Sequence, residues 1–330
     1  MNRPDPKNVK QIACIGAGTI GGGMIAEFLA RGYSVTAQDP GKDALASLER
    51  LLDQAWPILE QIGLTASASR ERLRFTTDIE EAVAGADFVQ ESVPEDLELK
   101  VRIYERLDEL VPPEIVIGSS TSGFPMTEIQ RRCKYPERTV VAHPVNPPYL
   151  IPLIEIVGGE KTDPAVLDWA VSFYEAVGKR VLRMEKEIYG FMINRLQIAL
   201  FREALQMIAA EQATVAQIDD CLTHGLGLRW ASMGPFATFH LAAGDRGLGS
   251  FMDLHGSVEW RAPYVTETPL PDWTPELRAR ILQQAEEVID GRTIPQMIEE
   301  RNDTVIGLLK LREASRANAA KKHLGAAHAA

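Results

Sequence analysis

Short apolar runs and helical patterns follow one another along the first part of the chain. Continuous apolar runs of strand length occur at 12–15, 115–119 and 151–157, and stretches with apolar residues on one helical face lie between such runs. A continuous apolar run is typical of a strand in a parallel sheet that helices cover on both faces. The pattern therefore predicts an α/β fold, a doubly wound Rossmann sheet, over residues 1–187.

After residue 187 the strand patterns give way to helical patterns alone. Residues 191–210 are apolar nearly all round, which predicts a buried helix rather than a surface one. We expect an all-helical domain over 188–313, followed by an alanine-rich end over 314–330 that forms a frayed helix and a flexible tail. The later helices of this domain are predicted over 275–290 and 295–315.

Local signals predict where some of the helices begin and end. Leucines repeat on one face of residues 41–74 and indicate a helix with interruptions at Pro57 and Gly63. The Thr-x-x-Gln sequence at 214–217 is a capping box that predicts a helix start. Gly225 is the predicted end of that helix.

The strongest motif follows the first strand, where Gly16, Gly18 and Gly21 form a G-x-G-x-x-G sequence. The first glycine allows a tight turn, the second lets backbone approach a pyrophosphate, and the third lets the helix pack on the strand. The helix would begin at Thr19 and Ile20, whose free N–H groups then face the phosphate. An ordinary glycine-rich turn is the alternative, but strand, glycines, helix and second strand fall in register for a dinucleotide site.

An acidic residue, Asp39, closes the second strand about 20 residues past the glycines. A carboxylate at this place can hydrogen-bond the adenosine ribose hydroxyls and would repel the additional phosphate of NADP. The predicted cofactor is therefore NAD.

A histidine and a glutamate lie on neighbouring predicted strands. His143 ends one apolar strand ahead of a proline-rich turn, and Glu155 lies inside the next. A carboxylate is costly to bury unpaired, so Glu155 should have a partner, and His143 is the nearest candidate. Histidine can take a proton from an alcohol near neutral pH, and a buried carboxylate would fix its tautomer. The residues alone leave open a surface histidine and a glutamate paired with an arginine.

Composition limits the possible partners and location. The 330 residues carry a formal net charge of -11 without a basic block, which argues against a nucleic acid or an anionic membrane as partner. Cys14, Cys133 and Cys221 lie far apart, and the other histidines show no paired spacing, so we expect neither a disulfide framework nor a metal. No run is long enough to span a bilayer. A reducing, cytoplasmic location fits best.

Further motifs occur along the chain in a distinctive order. They are GAGTIG at 16–21, ESVPE at 91–95 with Lys100, SSTSG at 119–123, HPVNP at 143–147 with Glu155, and GFMINR at 190–195. In this order and spacing the chain resembles the L-3-hydroxyacyl-CoA dehydrogenase family over most of its length. Within the family it is most similar to the branch of L-gulonate 3-dehydrogenases (lambda-crystallin) and carnitine dehydrogenases.

The resemblance implies NAD-dependent oxidation of a 3-hydroxyl group and assigns roles to matched residues. His143 would be the general base, oriented by Glu155. Ser122 and Asn194 would hydrogen-bond the reacting oxygen as it becomes a carbonyl. Without the resemblance, the serine would be interpreted as a turn residue and the asparagine as a helix N-terminal residue.

Other expectations also rest on the resemblance. Glu95 and Lys100 match positions that hold the nicotinamide ribose, and the helical domain forms a homodimer in this family. Because lambda-crystallin serves as a bulk structural protein, a structural or sensing NAD-binding protein is the alternative to an enzyme. The combined presence of His143, Glu155, Ser122 and Asn194 favours an enzyme.

Two departures from the CoA-using relatives favour a small, L-gulonate-like 3-hydroxy acid as substrate. The segment between Asp39 and Val89 is shorter than theirs and poor in the cations that CoA phosphates attract. Arg229, next to Trp230, offers a planar fork for a free carboxylate. A 3-hydroxyacyl-CoA such as 3-hydroxybutyryl-CoA is the first alternative substrate.

Carnitine is the second alternative substrate. Its quaternary ammonium binds well to aromatic faces, which Trp230, Tyr149 and Phe236 could provide. Scattered aromatic residues usually pack in a core, however, and that is the simpler interpretation of these three.

Overall fold

The computed structural model describes residues 3–231, 233–247, 250 and 274–327. The chain divides into two compact units, Met1–Arg195 and Leu196–Ala330. The boundary between them falls inside the helix Phe191–Ala209.

The first unit contains one eight-stranded sheet with the strand order β3-β2-β1-β4-β5-β6-β7-β8. All neighbouring strands are parallel except β6 and β7, which are antiparallel. The predicted doubly wound Rossmann sheet is confirmed. The strands are β1 Gln11–Ile15, β2 Ser34–Gln38, β3 Leu73–Thr76, β4 Phe88–Glu91, β5 Val116–Ser119, β6 Thr139–Pro144, β7 Leu153–Val157 and β8 Arg180–Arg183.

Helices cover both faces of this sheet, and successive strand residues face opposite cores. Ile12 and Cys14 of β1 belong to one apolar cluster, whereas Ala13 and Ile15 belong to the other. Burial on both faces explains why the strands appear in the sequence as continuous apolar runs. The helices are α1 Thr19–Ala30, α2 Ala44–Ile62, α3 Ile79–Val83, α4 Leu97–Leu110, α5 Met126–Ile129 and α6 Pro164–Val177.

Helix α2 runs through Pro57, so the predicted interruption at this proline is wrong. A proline inside a helix costs about 3 kcal/mol because it removes a hydrogen bond to the carbonyl one turn earlier. Pro57 and Asp53, whose carbonyl loses that bond, are both exposed, so water can satisfy the carbonyl. The opposite face buries Leu48, Leu52 and other apolar side chains, which offsets the cost.

The second unit is helical in the residues that the structure describes. Its helices are α7 Phe191–Ala209, which begins in the first unit, α8 Val215–Asp220, a π-helical turn Cys221–Leu226, α9 Gly227–Trp230, α10 Pro235–Ala242, α11 Pro275–Ile289 and α12 Ile294–Ala327. The last helix extends well past the predicted end at 315. None of the helices in the described ranges has the length and apolar content needed to cross a bilayer.

The predicted capping box is confirmed, but the predicted helix end is wrong. The Gln217 N–H donates to the Thr214 hydroxyl at 3.2 Å, and the Gln217 side chain accepts from the Thr214 N–H at 3.0 Å. The helical path continues through Gly225, which has no positive φ. A glycine ends a helix when it adopts the left-handed conformation, and Gly225 does not.

The predicted burial of α7 is wrong for its middle turns in the single chain. Leu196 is 69% exposed, Ile198 53% and Phe201 58%, whereas Phe191 and Ile208 at the two ends are buried. A helix that is apolar nearly all round presents more apolar surface than the described residues cover. The expected homodimer stays a prediction.

Candidate active site

The glycine turn between β1 and α1 has the shape that a pyrophosphate requires. A Cβ atom built on Gly16 would lie 2.5 Å from the Ser92 carbonyl oxygen, and one on Gly21 would lie 2.0 Å from the Gly16 carbonyl oxygen. A Cβ on Gly18 would meet nothing within 4 Å. Two of the glycines are therefore required by close backbone contacts, and the third leaves open space at the helix N-terminus for a phosphate group.

The surroundings of this turn fit the rest of a dinucleotide. Helix α1 begins at Thr19 with no side-chain cap, so the N–H groups of Thr19 and Ile20 are positioned for an anionic group. Asp39 accepts the N–H of Ala17 at 3.0 Å and that of Gly41 at 2.9 Å. Its carboxylate therefore lies against the glycine turn, as ribose binding requires.

His143 and Glu155 are paired at the end of the sheet. They are opposed in the register of β6 and β7, and His143 Nδ1 lies 2.8 Å from Glu155 Oε2. The histidine is 6% exposed and the glutamate is fully buried. Glu155 Oε1 accepts the N–H groups of Met192 at 2.9 Å and Ile193 at 3.1 Å, in the first turn of α7. With Oε1 taken up by these two N–H donors, Oε2 is the acceptor for Nδ1–H of His143, and the lone pair of the imidazole then lies on Nε2.

Phe191 is a residue of this site that sequence reasoning missed. Its buried ring lies 5.3 Å from the His143 ring, between centroids. Its φ of 47° is left-handed, which costs a non-glycine residue about 1–3 kcal/mol. The preceding N–H, of Gly190, donates to the Gly123 carbonyl at 3.2 Å and fixes this turn. The only signal in the sequence was a Gly-Phe pair just ahead of an apolar helix.

Ser122 and Asn194 are in direct contact. Asn194 Nδ2 donates to the Ser122 carbonyl at 2.7 Å, joining the loop after β5 to the first turns of α7. The Ser122 side chain is exposed, so its hydroxyl can reach a ligand. The loop itself is held by Glu95 Oε1, which accepts the N–H groups of Ser122 at 2.9 Å and Gly123 at 3.0 Å.

Lys100 lies beneath this loop and is 1% exposed. Its ammonium donates to Glu91 Oε1 at 2.8 Å and to the Val93 carbonyl at 3.2 Å, and lies 3.5 Å from Glu95 Oε2. Of the two residues expected at the nicotinamide ribose, Glu95 has an accessible side chain and Lys100 has a buried one. Sequence reasoning gave Glu91 no role.

The expected substrate-binding residues belong to the second unit. Arg229 and Trp230 lie on α9 with exposed side chains, and their substrate-binding role stays a prediction.

No metal site was expected from the sequence. Within the described ranges, no three histidine, cysteine, aspartate or glutamate side chains are grouped as metal ligands would be. His255 and His328 lie outside the described residues.

A Rossmann sheet with a glycine turn after β1 has the architecture of a dinucleotide-binding protein, and the buried His–Glu pair on β6 and β7 adds the base that a dehydrogenase requires. Residues 11–188 match the family described as 3-hydroxyacyl-CoA dehydrogenase, NAD binding domain, and residues 190–272 match the C-terminal domain of the same family. The chain belongs to the 3-hydroxyacyl-CoA dehydrogenase family. The expected family, the cofactor NAD and the enzyme class, an NAD-dependent dehydrogenase, are confirmed.

Named relatives and a solved structure resemble the chain over nearly its whole length. The L-carnitine dehydrogenase of Streptomyces coelicolor is 50% identical over 92% of this chain and 95% of its own. That of Streptomyces griseus is 51% identical, over 92% and 90% respectively. The crystal structure of 5-formyl-3-hydroxy-2-methylpyridine 4-carboxylic acid 5-dehydrogenase, an NAD-dependent dismutase, has a TM-score of 0.78 at 30% identity and covers 92% of this chain and 99% of its own.

Proposed function

We propose that this chain oxidises the 3-hydroxyl group of L-carnitine to a ketone, with NAD as hydride acceptor. The observation that carries the proposal is the 50% identity, over 92% of the chain, to an L-carnitine dehydrogenase. The sequence alone favours an L-gulonate-like acid, with carnitine among the alternatives. The named relatives favour the carnitine alternative.

His143 is the base in the proposed mechanism. Its Nδ1–H is directed at Glu155, so Nε2 presents a lone pair that can take the proton of the substrate hydroxyl. Bound NAD supplies the acceptor for the hydride that leaves C3. The imidazolium formed at His143 is stabilised by the Glu155 carboxylate 2.8 Å away, which holds the ring in place as the charge develops.

Ser122 and Asn194 polarise the reacting oxygen in this mechanism. Asn194 uses one amide hydrogen on the Ser122 carbonyl and keeps a second one for a ligand. The exposed Ser122 hydroxyl is the other donor. Two donors near His143 would stabilise negative charge on the oxygen as its proton and the hydride leave.

The cofactor would be held by residues at the ends of β1, β2 and β4. The N–H groups of Thr19 and Ile20 and the open space over Gly18 suit the pyrophosphate, and Asp39 suits the adenosine ribose. Glu95, whose side chain is 39% exposed, is the candidate for the nicotinamide ribose.

Two residues of the second unit are candidates for binding the two charged groups of carnitine. Carnitine has a carboxylate and a quaternary ammonium on either side of its hydroxyl. The exposed guanidinium of Arg229 is the candidate partner of the carboxylate. Trp230, 38% exposed, offers an aromatic face to the ammonium.

A substrate panel tests the proposal. Purified chain with NAD is assayed by NADH absorbance on L-carnitine, D-carnitine, L-gulonate and 3-hydroxybutyryl-CoA. We expect kcat/KM for L-carnitine to exceed each other value by about 10²-fold, because D-carnitine presents its C3 hydroxyl in the wrong orientation and the other two compounds lack the quaternary ammonium. His143→Gln should still bind NADH and should not turn over. A preference for L-gulonate or for the CoA thioester would overturn the proposal.

A further inference from the structure

A buried acid that the mechanism above does not use, Glu91, ends strand β4. Its side chain is fully buried, and both oxygens are hydrogen-bonded. Oε1 accepts from Lys100 Nζ at 2.8 Å and from the Val93 N–H at 2.7 Å, and Oε2 accepts from the Ser119 hydroxyl at 2.5 Å. Ser119 ends the neighbouring strand β5, so this carboxylate joins the ends of two central strands to the buried lysine of α4.

The lysine connects this acid to a second one. Lys100 Nζ lies 3.5 Å from Glu95 Oε2 and is enclosed by protein acceptors. An ammonium buried at this depth is destabilised unless anionic partners surround it, and removing one partner is costly. Its position is therefore set jointly by Glu91 and Glu95.

Glu95 in turn holds the loop that carries the substrate-facing serine. Its Oε1 accepts the Thr121 hydroxyl at 2.7 Å and the N–H groups of Ser122 and Gly123. The Ser122 carbonyl then accepts from Asn194. An uninterrupted series of contacts thus runs from the buried acid to both expected donors for the reacting oxygen.

We propose that Glu91 is a positioning residue for the reaction: it fixes Lys100 and, through it, Glu95, so that Ser122 and Asn194 stay placed for the substrate oxygen. If Glu91 loses its charge, the nearest remaining carboxylate to the ammonium is Glu95. The ammonium then draws Glu95 towards itself and away from the loop amides. The loop loosens although the sheet beneath it remains formed.

Hydrogen exchange in the cofactor-free protein tests the positioning directly. In Glu91→Gln, the Ser122 and Gly123 amides should exchange about tenfold faster than in the wild type, because their acceptor has moved. The matched control is Asp108→Asn, which breaks another buried ion pair of α4, with Arg138 at 2.8 Å, about two turns along the helix from Lys100. Equal acceleration in both variants, or none in Glu91→Gln, would overturn the proposal.

A double-mutant cycle tests whether the acid acts through the lysine. This arm uses L-carnitine and therefore rests on the proposed function. We expect Glu91→Gln to lower kcat per folded enzyme about tenfold, as displacement of substrate-positioning groups does. Glu91→Gln combined with Lys100→Met should be no slower than Lys100→Met alone. Additive losses would overturn the proposal, whereas a wild type inactive on carnitine would refute only the substrate assignment and leave the exchange experiment decisive.

A milder variant covers the case in which Glu91→Gln does not fold. Ser119→Ala removes one donor from Glu91 Oε2 and the acceptor of the Thr121 N–H at 3.1 Å, and it leaves both charges in place. The Ser122 and Gly123 amides should again exchange faster than in the wild type, by a smaller factor. Unchanged exchange in this variant would overturn the proposal.

Discussion

His143 and Glu155 lie directly opposite each other on the antiparallel strands β6 and β7, with 2.8 Å between Nδ1 and Oε2. Opposed residues of an antiparallel pair project to the same face of the sheet, which brings the two side chains together. The other carboxylate oxygen accepts two N–H groups at the start of α7, the helix that carries Asn194. One carboxylate therefore orients the base and anchors the helix that supplies a second site residue.

Replacing Glu155 should damage both catalysis and stability. In Glu155→Gln, the amide offers one acceptor where the carboxylate offered two. If its NH₂ group faces His143, the ring must shift to the tautomer protonated on Nε2, and the base is lost. If the NH₂ group instead faces α7, it lies against the N–H groups of Met192 and Ile193, and these donors lose their acceptor. We expect kcat to fall about 10²–10⁴-fold and the free energy of unfolding to fall by about 1–2 kcal/mol, measured by steady-state kinetics and thermal unfolding.

Asp163→Ala is the control for the loss of a helix cap. Asp163 accepts the Ala165 N–H at 2.9 Å at the start of α6, pairs with Arg3 at 3.0 Å and has no part in the site. This variant should lose stability and keep its kcat. A Glu155→Gln enzyme with the kcat of the wild type would remove Glu155 from the orienting role.

Asp39 should determine the choice between NAD and NADP. Asp39→Asn keeps an acceptor for the Ala17 N–H and removes the negative charge that opposes a ribose phosphate. We expect the ratio of kcat/KM for NAD to that for NADP to fall by about tenfold or more, which corresponds to about 1.4 kcal/mol. Glu60→Gln, which removes an exposed charge from α2, should leave the ratio unchanged. An unchanged ratio in Asp39→Asn would contradict the assignment.

The features that could be predicted from the sequence depend on residues close together in one local segment of the chain. The glycine turn and Asp39 belong to a single strand–helix–strand segment, where spacing alone fixes their relation. That Glu155 would have a partner was predictable because a buried carboxylate needs one, and His143 was the nearest candidate, but the residues alone also left open a pairing with an arginine.

The features that could not be predicted depend on contacts between distant segments. Glu95 holds the Ser122 amide across 27 positions, and no periodicity indicates which loop a carboxylate will bind. The apolar pattern of α7 predicts that Leu196 and Phe201 pack against other apolar groups, but it does not identify the element or molecule that they pack against. Gly225 failed as a stop signal because residue type alone does not fix its φ.

The three cysteines should differ widely in reactivity. Burial, with a smaller contribution from Asp108, raises the pKa of Cys133 to about 12, and burial also raises the pKa of Cys14 far above its ordinary value. At pH 8 both are thus almost wholly in the thiol form, which is a poor nucleophile. Cys221 is exposed. A disulfide reagent should therefore modify one thiol quickly in the native protein and three after denaturation.

Two further measurements check the assignment of the fast thiol. Cys221→Ser should show no fast phase under native conditions. For Cys133, the modification rate should rise with pH throughout the range below 12, because the thiolate fraction grows until the pH reaches the raised pKa. Rapid modification of Cys133 at pH 8 would contradict this prediction.

Arg229 should distinguish a free carboxylate substrate from a CoA thioester. A charge-assisted pair between the guanidinium and a carboxylate contributes about 1.5–3 kcal/mol, so Arg229→Met should lower kcat/KM for L-carnitine about 10–100-fold. The same change should scarcely affect any residual activity on 3-hydroxybutyryl-CoA, which has no free carboxylate at that end. Arg229→Lys should recover part of the loss, because an ammonium keeps the charge without the two-pronged geometry. Equal losses on both substrates would instead favour the CoA thioester as the natural ligand.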